Sequence, residues 1–346
     1  MDSPRTDRIS ACPVCKYPTE GNPLFASADR QHGTPGRFRY CLCPKCASVF
    51  QNPQVVPDDR HATYPNSYYT HSRPRDASHR GRMAGMRDQV RNWILRYHYG
   101  TGPLAARMAG RVLFRAGFLR RKAFFGLLDE LIPPRAGAVA LDIGCGSGKL
   151  LRALRLAGWA AEGVEWDQHA ADVAAAYSEC TVHTGDFSKL PLQDGKYGLV
   201  LLNHVFEHLD DPTQVLRRVG ELLAPDGTAV LIYPNPAALG AKRFKEHWFS
   251  WEVPRHLVFV HPREASALAH GVGLEIVSLK TLHRSATVVS MLSRAYQRGR
   301  VLSTAEVVPG LEDHLYKWWG RLRMLIEPMT GEEVLLVLRR AKSRDR

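Results

Sequence analysis

Apolar residues are sparse in the first fifty positions, fall at helical spacing from about residue 83, and from Ala136 onward collect into short runs separated by helical segments. In that last part "AVALDIG" (138–144) reads as a buried strand and "SGKLLRALRLAG" (147–158) as a helix stopped by Gly158. "AAEGVEWD" (160–167) predicts a second strand, "QHAADVAAAY" (168–177) a second helix and "CTVHTGD" (180–186) a third strand. "YGLVLLNH" (197–204) is unbroken and apolar, as a strand covered on both faces should be. "DDPTQVLRRVGELLAPDG" (210–227) predicts a helix capped by Asp211, opened by Pro212 and closed by Pro225 and Gly227, and "TAVLIYPN" (228–235) a fifth strand. This alternation predicts an α/β fold with a Rossmann-like, doubly wound, mostly parallel sheet, whose ligands bind at the C-terminal ends of the strands.

Before this part, residues 51–80 hold Pro, Asn, Ser, His and "YPNSYYTH" and read as loop. Met83, Met86, Val90, Trp93, Ile94 and Tyr97 then recur at helical spacing, with Arg87, Arg91 and Arg96 off the apolar stripe. "TGP" (101–103) breaks that helix, and a second stretch from about Leu104 to Leu128 carries Arg107, Arg111 and Arg115 before "RRK" at 120–122. Residues 282–330 predict two further helices, including "YKWWGRLRML" (316–325). The chain therefore divides into a cysteine module (1–52), a basic loop and helical region (53–130) and the alternating domain (131–346).

Charge sharpens this division. Residues 1–135 hold 22 Lys and Arg against 10 Asp and Glu, whereas residues 136–346 hold 25 against 24. The near-neutral part suits an enzyme of small molecules, and the basic part is biased toward an anionic partner. No run reaches the roughly 18–20 apolar residues that span a bilayer, and the start is polar. The expected location is the cytoplasm, with a peripheral contact at the inner membrane as its extension.

Five of the seven cysteines lie between positions 12 and 46. "CPVC" (Cys12, Cys15) and "CPKC" (Cys43, Cys46) have the paired spacing of a structural zinc site, in which each tight turn brings two thiolates to one tetrahedral ion. Few apolar residues lie between the knuckles, so folding coupled to metal is expected. Cys41 breaks the paired spacing and is left out of the set.

The stretch "LDIGCGSG" (141–148) joins the first predicted strand to its helix. Its pattern is D-x-G-x-G-x-G, with Asp142, Gly144, Gly146 and Gly148. A dinucleotide fingerprint would be G-x-G-x-x-G, and a P-loop would need a hydroxyl where Leu150 stands. A carboxylate beside the loop repels a pyrophosphate but attracts a cationic group. Glu165 ends the second strand, where it can accept both ribose hydroxyls. Asp186 and Phe187 end the third, where an adenine can be held by a carboxylate and an apolar wall. The ligand so described has a ribose, an adenine and a positive charge.

These motifs resemble class I S-adenosylmethionine-dependent methyltransferases over residues 136–281, with "EEVLLVLRR" (332–340) resembling the final antiparallel strand of that fold. The resemblance implies that Asp142 and the three glycines meet the amino-acid end of the cofactor, and that Asn203 and His204 flank it. The order "CPVC…CPKC", "YYTH", the glycine loop, "HVFEHLDDP", "YPNPAALG" and "HWFSWEVPRHLVFVHP" is similar to bacterial methyltransferases with an N-terminal zinc module, many associated with sugars, surface polysaccharides or secondary metabolites.

Methyl transfer needs alignment of nucleophile and methyl, and a group that takes the acceptor's proton. The candidates are Arg255 and His256 in "VPRHLVF" and Glu207 and His208 in "HVFEHL", with His256 as candidate general base by resemblance to sugar methyltransferases. Trp248, Phe249 and Trp251 read equally as a wall for a sugar face or as core. The expected partner is a small-molecule or glycan acceptor. The first reading of the basic helices is that both pack on the main domain with their arginines as a solvated face; an anionic membrane or a lipid-linked substrate that engages them ranks second, and nucleic acid last. An RNA methyltransferase and a non-catalytic zinc-ribbon adaptor stand as alternatives, and the sequence leaves the acceptor atom open.

Overall fold

The computed structural model describes residues 3–64, 82–100, 102–115, 137–300 and 308–341. The "YYTH" segment, "RRK" at 120–122 and the expected start of the third region at 131 lie outside the described residues.

Two compact units are present, one formed by residues 1–66, 203–220 and 231–346, the other by residues 67–202 and 221–230. In the second unit, α1 (Arg82–His98) and α2 (Leu104–Phe114) pack together. Gly110 allows this, because a Cβ there would lie 1.9 Å from the carbonyl oxygen of Trp93. Strand β6 (Val139–Ile143) pairs in parallel with β7 (Ala160–Glu165) on one side and β9 (Tyr197–Asn203) on the other, and β7 pairs in parallel with β8 (Thr181–Thr184).

Helices follow the first two of these strands, as expected. Helix α3 (Lys149–Ala157) buries Leu151, Ala153, Leu154 and Ala157 at helical spacing and ends on Gly158 in the left-handed region (φ 101°). In α4 (Gln168–Ser178) the Asp167 carboxylate accepts the Ala170 N–H at 2.8 Å as N-cap.

Helix α5 (Pro212–Leu222) is capped by Asp211, whose Oδ1 accepts from the N–H of Thr213 (2.9 Å) and Gln214 (3.2 Å). Strand β10 (Leu223–Pro234) starts directly after it, so Pro225 and Gly227 lie inside the strand and do not close a helix. Gly227 makes this possible, since a Cβ there would lie 2.6 Å from the Tyr197 carbonyl oxygen. Strands β12 (Leu274–Leu282) and β13 (Glu333–Arg340) form an antiparallel pair. The seven-stranded sheet has the order β12-β13-β10-β9-β6-β7-β8, a mixed Rossmann-like sheet with parallel pairs from β9 to β8 and an antiparallel β12–β13 pair.

The cysteine module contributes β1 (Thr6–Asp7), β2 (Asn22–Ser27), β3 (Phe38–Leu42), β4 (Val49–Gln51) and β5 (Gln54–Val55). Strand β11 (Val258–Phe259), from far along the chain, adds to this module and gives a four-stranded sheet of order β11-β4-β3-β2. One core underlies it, in which Phe38, Tyr40 and Val49 pack with Trp248, Trp251 and Phe259. Trp248 and Trp251 are thus core residues, while Phe249 is half-buried against Tyr296. Helices α6 (Leu239–Phe244), α7 (Ala265–Gly271), α8 (Ala286–Gln297) and α9 (Leu311–Ile326) complete this unit. Among the described residues no helix is long and apolar enough to cross a membrane.

Candidate functional site

The glycine loop follows β6 as the sequence predicts. Gly144, Gly146 and Gly148 all have left-handed φ (67°, 52° and 75°), a conformation that side chains disfavour. At Gly148 a Cβ would also lie 2.8 Å from the Ala174 carbonyl oxygen. The Gly144 and Cys145 amides donate to the Val164 carbonyl (2.8 and 3.0 Å), which folds the loop over the end of β7. There Glu165 accepts from the Gly146 N–H through Oε2 (2.8 Å) and from the Trp166 N–H through Oε1 (2.9 Å).

Asp142 lies beneath this loop, 2% exposed, and its buried Oδ2 has no hydrogen-bond partner among the described residues. Burial, reinforced by the charge of Glu165, raises its pKa to about 8. Such an orphaned carboxyl is costly alone and is satisfied by a cationic donor. The loop, Asp142 and Glu165 therefore fit the aminoacyl and ribose ends of S-adenosylmethionine. Phe187 is buried at the end of β8, as an adenine wall would be. The Asp186 carboxylate is turned into its own loop, where Oδ1 accepts from the N–H and hydroxyl of Ser188 (3.0 and 2.7 Å).

A second group of candidates lies in the other unit, after β9. His204 has an unusual left-handed φ of 58°, which aims its ring between two carboxylates. Nδ1 is 3.2 Å from Glu207 Oε1, and Nε2 is 3.2 Å from Glu333 Oε1. Burial opposes the charged ring, but Glu207 and Glu333 outweigh it and raise the pKa to about 10. Arg284 extends this chain by donating to Glu333 Oε2 at 2.6 Å, and its Nη2 donates to Asn203 Oδ1 at 3.4 Å.

Glu207, His208 and His256 converge beside it. The rings of His208 and His256 have centroids 4.6 Å apart and stand nearly perpendicular. His256 Nδ1 donates to the Ser250 carbonyl at 2.9 Å, which leaves Nε2 facing two carboxylates, 3.5 Å from Glu252 Oε2 and 3.7 Å from Glu207 Oε1. Burial and the neighbouring His208 lower the His256 pKa to about 4, so the ring is neutral near pH 7. Arg255 is placed differently. All five of its N–H groups are committed, to Asp29 Oδ1 and Oδ2, Glu252 Oε1 and the carbonyls of Thr63 and Val253.

The four cysteines of the two knuckles come together as their spacing predicts. The Sγ atoms of Cys12 and Cys46, and of Cys15 and Cys43, are each 3.7 Å apart. A tetrahedral zinc with Zn–S of about 2.3 Å requires sulfur–sulfur edges of about 3.8 Å, so the set fits that ion. The knuckles are alike, with Lys16 and Ala47 both at φ 56° and donating to the carbonyls of Cys12 and Cys43. Cys41 is buried outside the set.

Several residues of these sites carry no sequence signal. Asp29, Tyr64, Tyr233, Arg284 and Glu333 come from scattered positions, and only the fold brings them beside Arg255, His208, Glu207 and His204.

Residues 116–279 match a protein family described as "Methyltransferase domain". The chain carries a class I S-adenosylmethionine-dependent methyltransferase domain. It is 24% identical over 192 residues to the ubiquinone biosynthesis O-methyltransferase of Bordetella bronchiseptica, covering 52% of this chain and 80% of that protein. It is 29% identical over 121 residues to an uncharacterized 37.1 kDa protein in transposon TN4556 of Streptomyces fradiae, covering 33% of this chain and 35% of that protein. Among solved structures, the geranyl diphosphate C-methyltransferase of Streptomyces coelicolor A3(2) superposes with a TM-score of 0.44 at 18% identity, over 66% of this chain and 82% of that one.

Proposed function

We propose that the whole protein transfers a methyl group from S-adenosylmethionine to a hydroxyl of a sugar, glycolipid or related small metabolite. The observation that carries the reading is the buried Oδ2 of Asp142, without a hydrogen-bond partner among the described residues, under three left-handed glycines, a cradle for the cationic aminoacyl end of the cofactor. Glu165 would hold the ribose and Phe187 would wall the adenine. When bound, the cofactor supplies an activated methyl group on a sulfonium. O-methyltransferases among the relatives support oxygen as the acceptor atom.

On the acceptor side His256 is the candidate general base. Its tautomer is set by the Ser250 carbonyl, so Nε2 has the lone pair that takes the proton. His204, charged between Glu207 and Glu333, has no lone pair to offer and instead fixes Glu207 in place. Arg255 positions the neighbouring His256 by anchoring its own segment to Asp29. The four-cysteine cluster would hold a structural zinc.

The basic helical region supports a lipid-linked acceptor or a peripheral contact with an anionic membrane. On α2, Leu104, Met108 and Val112 are exposed at every fourth position beside exposed Arg107 and Arg111, the pairing of apolar and basic groups that lies in a headgroup layer.

The test is calorimetric titration of the full chain with S-adenosylmethionine, beside Asp142→Asn, followed by product analysis with hydroxylated sugar and lipid-linked acceptors. Binding lost in the variant and a methyl ether in the product support the reading. A wild-type protein that binds no cofactor overturns it.

A further inference from the structure

The cluster around His256 has features that a proton acceptor alone does not require. His208 repeats the arrangement of His256, with Nδ1 directed at a backbone carbonyl, that of Arg255 at 3.1 Å, and also 2.9 Å from the Tyr64 hydroxyl. A carbonyl only accepts, so the His256 ring carries its hydrogen on Nδ1 and turns Nε2 toward Glu252 Oε2 (3.5 Å) and Glu207 Oε1 (3.7 Å), and the Arg255 carbonyl favours the same tautomer in His208. Backbone carbonyls that fix histidine tautomers in this way are the usual outer shell of a metal centre. The third member, Glu207, is wholly buried, and while Oε1 meets His204, Oε2 has no hydrogen-bond partner among the described residues. One ligand atom from each of Glu207, His208 and His256 lies within 4.8 Å of the others. The Tyr233 hydroxyl, also buried without a hydrogen-bond partner among the described residues, lies in the field of Glu207.

We propose that Glu207, His208 and His256 bind a divalent transition ion such as zinc or manganese through one carboxylate oxygen and two imidazole nitrogens. Two histidines and one carboxylate leave coordination positions open for water or substrate. A substrate hydroxyl on the ion would lose its proton to solvent at a lower pH, since the cation stabilises the alkoxide. The chain from Arg284 through Glu333 and His204 holds Glu207 in place from the far side. This inference rests on the methyl-transfer reading and alters one part of it. With the ion bound, His256 Nε2 is a ligand and not the proton acceptor.

The experiment uses the full chain with its cysteine site zinc-loaded and titrates it with Mn2+ alone, following the free-ion signal by electron paramagnetic resonance. The expected result is one Mn2+ per chain in the wild type, weakened at least about 100-fold in Glu207→Gln and in the milder His208→Asn, each with unchanged near-ultraviolet circular dichroism. A wild type that binds no Mn2+, or variants that bind as tightly as the wild type, would overturn the site. Methyl transfer that persists after removal of all metal outside the cysteine site, yet fails in His256→Ala, rejects the ion and leaves the general-base reading intact. Mn2+ binding by a protein that takes no S-adenosylmethionine keeps the site and removes the methyl-transfer reading.

Discussion

Arg255 and Asp29 form a two-pronged ion pair, Nη1 to Oδ2 at 2.8 Å and Nη2 to Oδ1 at 3.1 Å, and neither side chain is exposed to solvent. Removing one partner leaves the other charge buried. Asp29→Ala is expected to cost about 3–5 kcal/mol of stability, read from the denaturant midpoint. A loss below about 1 kcal/mol would show that the pair is dispensable.

The same pair sets a pH dependence. Burial raises the Asp29 pKa, but the hydrogen bonds and charge of Arg255 outweigh it, and the folded value is well below the ordinary one. A depressed carboxylate contributes stability that is fully present above its unfolded pKa of about 3.9 and is lost as pH falls toward the folded value. The stability gap between the wild type and Asp29→Asn should therefore be constant above about pH 4 and narrow steadily as the pH falls below it.

Asp142 works in the opposite sense. Its folded pKa of about 8 exceeds the unfolded value, so ionisation between the two weakens the cofactor-free fold as pH rises. Asp142→Asn should be as stable as the wild type or more stable near pH 7, while cofactor binding falls at least about 100-fold. Thermal melting beside calorimetric titration checks both halves. A variant that melts much earlier would assign Asp142 to the fold and not to the ligand.

For the cysteine cluster, Cys46→Ser should lower the zinc content by one equivalent per chain under reducing conditions, measured by elemental analysis. Melting should drop with it, since metal binding and folding are coupled in so small a module. Equal zinc content in the two proteins would reject the tetrahedral set.

Membrane contact by α2 predicts salt-dependent co-sedimentation with anionic phosphatidylglycerol vesicles and little with neutral phosphatidylcholine. Arg107→Glu with Arg111→Glu should abolish it, at about 1 kcal/mol lost per arginine removed and more on charge reversal. Equal recovery with both vesicle types would dismiss the electrostatic part.

Local pattern made the parallel strands, the glycine loop and the two knuckles legible, because each depends on spacing within a dozen residues. Gly148 and Asp211 were readable for the same reason. The start of β10 was not, since whether Pro225 and Gly227 close a helix or enter a strand depends on how near Tyr197 comes. Arg255 stood among the catalytic candidates because it adjoins His256 in the sequence. Its partner Asp29 is 226 positions away, and no periodicity reports such a pairing. The aromatic run at 248–251 was ambiguous for a related reason. Only the arrival of Phe38, Tyr40 and Val49 from the cysteine module decides that Trp248 and Trp251 are core.

Strand β11 pairs with β4, the Tyr40 hydroxyl donates to the His256 carbonyl at 2.7 Å, and the Gln51 amide donates to the Leu257 carbonyl at 2.8 Å. A gene fragment cut at residue 52 would therefore sever hydrogen bonds that hold the segment of His256, not an idle leader. The two pieces are better regarded as halves of one inheritance unit. Exchanging the module between relatives would require the segment around residues 248–259 to travel with it.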